Sequence, residues 1–209
     1  MKLITIIAAV LLLAMTLTAA DNPTDKGSMM LNGNASFTSV SLDSLTDDES
    51  LTTINIIPSI GFFIAPNIMV GGDLEYIKLS YGDVSASSFG IGPTVGYYFN
   101  MDKTRLDAKG AIYPYIKGFF IWTTTSPSLE EDMEIGDTVI TADDEMPKLK
   151  TTTYGFEGGL IFMLSNSVGA DFNVRYSIDK YKPDIEGEDT ESVDGNTLNI
   201  GVGITAFIY

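Results

Sequence analysis

The 209-residue chain has no cysteine, no histidine and a single tryptophan. Without cysteine there is no disulfide, no thiolate metal site and no residue to acylate behind a leader peptide. Without histidine the usual base for activating a serine or cysteine nucleophile is missing, so the chain is expected not to be an enzyme. Positive charge is scarce as well. The 12 lysines and arginines face 28 acids, giving a net charge of −16. That balance excludes the basic footprint of a nucleic-acid binder. Beyond residue 17 no apolar run approaches the roughly 18 residues of a membrane-crossing helix. A closed β-barrel is the other structure that can cross a bilayer, because it leaves no backbone group unpaired.

What is present begins with a leader. MKLITIIAAVLLLAMTLTAA carries Lys2, an apolar run from Leu3 to Leu17, and small residues Thr18, Ala19 and Ala20 before DNPTDKG. That order is a secretory signal over 1–20, with cleavage after Ala20. Residues 21–209 read as one domain. Mean hydropathy is mildly positive despite the charge, so apolar and acidic residues must be segregated.

The segregation is by alternate residues. In VGADFNVRYSIDKY, residues 168–181, Val168, Ala170, Phe172, Val174, Tyr176 and Ile178 alternate with Gly169, Asp171, Asn173, Arg175, Ser177 and Asp179. Period two is a strand with one dry face and one wet face. Seven more segments repeat it: 31–38, 54–62, 68–76, 89–99, 112–122, 154–162 and 198–208. No helical periodicity competes after the leader. Eight strands of about 10 residues match the length a tilted strand needs to cross a bilayer. Connections near 65–67, 100–107 and 165–166 read as short turns. Those at 41–51, 81–87, 123–150 and 182–195 read as polar loops, mostly longer. The spacing therefore predicts an all-β, eight-stranded antiparallel up-and-down transmembrane barrel with short periplasmic turns and longer acidic extracellular loops.

PSIGFFIAPNIMVGGDLEY (58–76), GPTVGYYF (92–99), YPYIKGFFIW (113–122) and GFEGGLIFMLSNSVGADFNVRY (155–176) carry a family likeness. Over essentially the whole mature chain the sequence resembles the small eight-stranded outer-membrane β-barrels of the OmpA/OmpX porin-like type. The resemblance implies residence in the outer membrane, contact with its lipid and lipopolysaccharide, and delivery by the barrel-insertion machinery. That family ends in an aromatic residue preceded by alternating hydrophobics. Tyr209 and Phe207 fit this ending, whereas Thr205, Gly203 and Gly201 do not, and the fuller apolar face is the even one from Leu198 to Ile208.

With apolar faces turned to lipid, the lumen receives Asp73, Glu75, Lys117, Glu157, Asp171, Asn173 and Arg175. A turn centred on Asn166 makes strand partners sum to about 332, so Glu157 should face Arg175, directly or one register away on the diagonal; Lys117 lies on the adjoining strand, on the other side of Glu157 if the register that the long loop leaves open allows it. An ionic network filling the lumen is the expected result, because buried charges persist when paired. Interface aromatics should form two girdles, Phe62, Tyr97, Phe99, Phe207 and Tyr209 by the turns and Trp122 and Tyr176 toward the loops.

The acids crowd the loops, eight in 126–148 and six in 182–195. The second set, Glu186, Glu188, Asp189, Glu191 and Asp194, lacks the EF-hand spacing, and a solvated surface is the simpler reading. No cofactor or metal is expected. The chain is expected to act as a monomeric, non-enzymatic surface protein with a plugged lumen and an extracellular partner at loops 123–150 and 182–195. A narrow porin or lipophile transporter is the second reading, and a soluble periplasmic lipid-binding barrel the third.

Overall fold

The structure, a computed structural model, describes residues 20–41, 50–81, 84–99, 108–129, 133–135, 138–140, 148–183 and 192–209. The expected leader lies outside the described residues except for Ala20. The strands are β1 (Met29–Ser41), β2 (Ser50–Ala65), β3 (Ile68–Tyr81), β4 (Val84–Tyr98), β5 (Ile112–Leu129), β6 (Met133–Ile135), β7 (Thr138–Ile140), β8 (Leu149–Met163), β9 (Val168–Pro183) and β10 (Val193–Ile208). Eight of them close an antiparallel barrel in the order β1-β10-β9-β8-β5-β4-β3-β2, and β6 pairs with β7 as a separate hairpin. Among the described residues there is no helix.

The barrel strands run 13 to 18 residues, longer than the alternation alone predicted. Their loop-side ends are built from serine and threonine, which give no hydropathy signal. The ladder continues there on hydroxyl pairs such as Ser88–Thr125 at 2.7 Å and Ser85–Ser128 at 2.9 Å. As a result the expected loop at 81–87 shrinks to the residues between Tyr81 and Val84, and residues 123–129 and 149–150 belong to strands. On the other side, the link between Tyr98 and Ile112 is longer than a tight turn. Loop lengths are therefore sorted less cleanly than the spacing suggested.

Proline marks two gaps in the ladder. The β2–β3 register passes from Ile56↔Tyr76 to Ser59↔Asp73 across Pro58, and β4–β5 passes from Ile91↔Trp122 to Thr94↔Phe119 across Pro93. Proline has no N–H to donate, yet the register resumes unchanged on each side.

At the turn side, residues 24–28 are hydrogen-bonded to the end of β2 and to the β2–β3 turn. Gly27 N–H donates to Phe63 O at 2.9 Å, Phe63 N–H to Ser28 O at 2.9 Å, and Asn67 N–H to Thr24 O at 2.8 Å. Thr24 and Ser28 are fully buried. Asn67 follows Pro66 in the β2–β3 turn with φ of 68°, and its Oδ1 accepts from Thr24 Oγ1 at 3.0 Å. Asparagine tolerates that left-handed conformation where alanine does not. Asn67→Ala should therefore destabilise the barrel by about 1–2 kcal/mol, read as a lower urea midpoint. Asn67→Gly, which keeps the backbone, should recover most of the loss.

One seam is short. β1 and β10 pair from Met29↔Ile208 to Ala35↔Val202 and no further, although β1 continues against β2 to Ser41↔Ser50 and β10 against β9 to Val193↔Tyr181. A notch thus separates the loop-side halves of β1 and β10. Asn199 Nδ2 reaches across its base to donate to Ser36 Oγ at 3.1 Å.

Candidate functional site: the charged lumen

Alternation sends one side chain in two to the inside of the barrel, and eight strands leave an interior just wide enough for side chains. Three layers fill it.

The turn-side layer is apolar. Met30, Phe63, Met69, Tyr98, Tyr113, Tyr115, Ile161, Met163 and Phe207 form one buried cluster. Phe63 meets Tyr98 edge-on at 5.3 Å, and Tyr98 stacks on Tyr115 at 5.1 Å. This corrects two expectations. Phe207 is not a girdle residue: it is 2% exposed, inside the barrel. The even residues of β10, including Ile200, Val202, Ile204 and Ile208, occupy the outer face, so the odd ones must point inward. Nor is the lumen polar throughout, because its turn-side end is a packed cluster of aromatic, methionine and isoleucine side chains.

The middle layer is ionic. Lys117 of β5 is the register partner of Glu157 of β8, and Glu157 is the partner of Arg175 of β9. Three adjacent strands thus line up cation, anion and cation. Lys117 Nζ lies 3.1 Å from Glu157 Oε1, and Arg175 Nη1 donates to Glu157 Oε2 at 3.3 Å. Asp73 on β3 adds the second carboxylate, with Oδ2 at 3.6 Å from both Lys117 Nζ and Arg175 Nη1. All four side chains are buried. The Arg175 guanidinium also lies over Phe119, its central carbon 3.5 Å from the ring centroid, a buried cation–π contact.

Asp171 stands apart from those cations and is held by neutral donors. Asn32 Nδ2 donates to it at 2.7 Å and also contacts Thr205 Oγ1 at 2.7 Å. The single proton of Tyr115 Oη is shared between Asp171 Oδ1 at 3.1 Å and Glu157 Oε1 at 3.0 Å. Tyr115 therefore links the ionic layer to the aromatic plug. The barrel wall makes room for these rings with glycine: a Cβ on Gly159 would lie 2.7 Å from the Tyr115 ring.

The loop-side layer is open. A cavity of about 260 Å³ is lined by Glu75, Asn55, Thr123, Asp179 and neighbours, with Arg175 at its floor. Asp179 accepts from Thr153 Oγ1 and Thr197 Oγ1 at 2.8 Å each.

The structure thus brings Asp73, Lys117, Glu157 and Arg175 into one cluster, sets Asp171 beside it and Glu75 above it. Tyr115, Phe119, Asn32, Thr205 and Asp179 complete the interior without having been singled out from sequence; Tyr115 and Phe119 share the parity of Lys117 and Asp179 that of Arg175, whereas Asn32 and Thr205 lie in strands with no inward charged residue. Tyr97, Phe99, Trp122 and Tyr176 are exposed on the outer face, and Phe62 is partly so. Tyr209 packs against the plug, its Oη donating to Asn166 O at 2.8 Å.

The outer wall completes the site's setting. Leu31, Ile56, Ile60, Ile91, Leu160, Phe172, Ile200 and Ile204 are all exposed on it. So many large apolar side chains on the outside, with charges inside, invert the usual soluble arrangement. The family model for the outer membrane protein β-barrel domain matches residues 6–205. The chain belongs to that outer-membrane barrel family. A search of curated proteins found no match. Among solved structures, Neisserial surface protein A is similar at 14% identity over 87% of this chain and 97% of that one, with a TM-score of 0.53. OprG of Pseudomonas aeruginosa matches at 12% identity over 90% of this chain and 100% of that one, TM-score 0.47. The N-terminal β-barrel domain of P. aeruginosa OprF matches at 12% over 88% and 98%, TM-score 0.45. At these identities the likeness shows the barrel fold alone.

Proposed function

We propose that this outer-membrane barrel is a non-enzymatic, monomeric wall protein whose lumen is plugged and whose loops meet the outside. The observation that supports the reading is the filling of the lumen's turn side and middle by buried side chains. An apolar cluster and an ion cluster lie in series along the lumen, and segment 22–28 is tied to Phe63 and Asn67 at the turn side. A path for solute would require breaking buried ion pairs, which is costly. The chain reaches the outer membrane through its N-terminal leader and sits with its termini on the periplasmic side. Lipid contacts the outer wall, and lipopolysaccharide headgroups surround the acidic loops with ambient cations between them. The extracellular partner is met by the segments 123–150 and 182–195.

Planar-bilayer recording tests the plug. Purified barrel should give no stable single-channel current; a reproducible conductance step would replace this reading with that of a narrow porin. Recovery in the outer-membrane fraction, with a band whose gel mobility changes on heating, tests the placement. Recovery in the aqueous fraction without detergent would mean a soluble barrel.

A further inference from the structure

The charges of the lumen do not balance. Lys117 and Arg175 are answered by Asp73 and Glu157. Asp171 is satisfied by Asn32 and Tyr115. Glu75 and Asp179 remain, and among the described residues neither has an ion-pair partner. Asp179 has at least its threonine donors. Glu75 has one long bond, from Asn55 Nδ2 at 3.5 Å.

We propose that the loop-side cavity binds a small primary amine carried on an aliphatic body. Three acceptors there lack sufficient donors. Besides the Glu75 carboxylate, Asn55 Oδ1 and Thr123 Oγ1 have no hydrogen-bond partner, although both side chains are more than nine-tenths buried and line the cavity. Glu75 and Thr123 sit level with each other, since both have Gly90 as register partner on the strand between them. Such unpaired buried oxygens are costly unless a donor arrives. A primary ammonium brings three N–H donors and the missing positive charge in one group.

A hard metal ion fits less well. Among the described residues no group of three histidine, cysteine, aspartate or glutamate side chains is placed to hold one. The apolar part of the wall, with Ile77, Leu79, Ala86 and Leu149, suits an aliphatic body. Arg175 Nη2, also unpartnered, lies at the floor and would take an oxygen carried by the ligand. Arg175 is paired through Nη1 with Glu157 and Asp73 and also attracts Glu75 from beyond ion-pair distance, so it offsets part, not all, of that carboxylate's charge.

The notch gives the body somewhere to go. Thr197 and Asn199 line the cavity from β10, along the stretch that has no β1 partner. Outside the notch lie Phe37, Leu198 and Ile200, exposed on the lipid-facing wall. The amine stays in the lumen, while a longer chain leans through the notch toward lipid. The site needs only the floor, so it stands whether or not the plug below conducts, and bilayer recording decides that separately.

The test uses the full-length barrel in lipid nanodiscs, titrated with n-hexylamine hydrochloride, hexan-1-ol and sodium hexanoate while amide NMR shifts are followed. Hexylamine should shift Thr123, Thr153 and Thr197 saturably, about tenfold more tightly than hexanol, and hexanoate should not bind. Glu75→Gln should weaken hexylamine about tenfold and leave hexanol unchanged, in a protein whose heat-dependent gel mobility shows it folded. Should that variant not fold, the ligand series on the unaltered protein decides alone. Equal affinity for hexanol and hexylamine overturns the proposal. So do shifts confined to Leu198, Ile200 and the outer wall, which would be simple partition into lipid.

Discussion

Replacing Arg175 by methionine is expected to cost about 3–5 kcal/mol, the usual penalty for removing one partner of a buried ion pair. The guanidinium is buried, bridges Glu157 and Asp73, and covers the Phe119 ring. Without it, Lys117 is left to compensate both carboxylates. The loss should appear as a lower urea midpoint in lipid vesicles and as a folded gel band that survives less heating. Glu157→Gln added to Arg175→Met removes the orphaned charge and should restore part of the stability. Equal stability of Arg175→Met and the unaltered protein would mean that the lumen is hydrated enough for its charges to be independent.

The second large effect is on the other face of the same strand. Phe172 is 57% exposed, between Leu160 and Val202 on the neighbouring strands. In lipid, Phe172→Arg should cost about 2–4 kcal/mol, as a charge near the middle of a bilayer does. In a soluble barrel an exposed arginine costs almost nothing. Equilibrium unfolding from vesicles measures the difference, and an unchanged midpoint would remove Phe172 from the lipid face.

The two substitutions probe what alternate residues said. VGADFNVRYSIDKY carried both faces in its sequence, and so did each strand that mixes large apolar with polar residues. Register was legible only where a tight turn joins two strands, as at Ser165–Val168 between β8 and β9; the sum of partner numbers there put Glu157 across from Arg175. It was not legible across the long β5–β8 link, or in the serine-rich top of β4, where pairing rests on hydroxyls and backbone. Asp73 entered the cluster from β3, across the lumen, a contact that no count along the chain contains. The plug was hidden for a different reason. Met30, Met69, Tyr98 and Phe207 share the parity of polar residues, but aromaticity near a strand end reads equally as girdle or as plug. Only closure of the barrel decides which wall such a ring stands on.

The short β1–β10 seam has a mechanical side. A tube held by seven register pairs along one line, and by thirteen and fourteen along the two adjoining lines, is not uniformly stiff. The pairs that brace the wall against lateral pressure in the outer leaflet are fewest on one meridian, and the ion cluster is carried by β3, β5, β8 and β9, away from it. The barrel is therefore least braced along the line where its first and last strands meet.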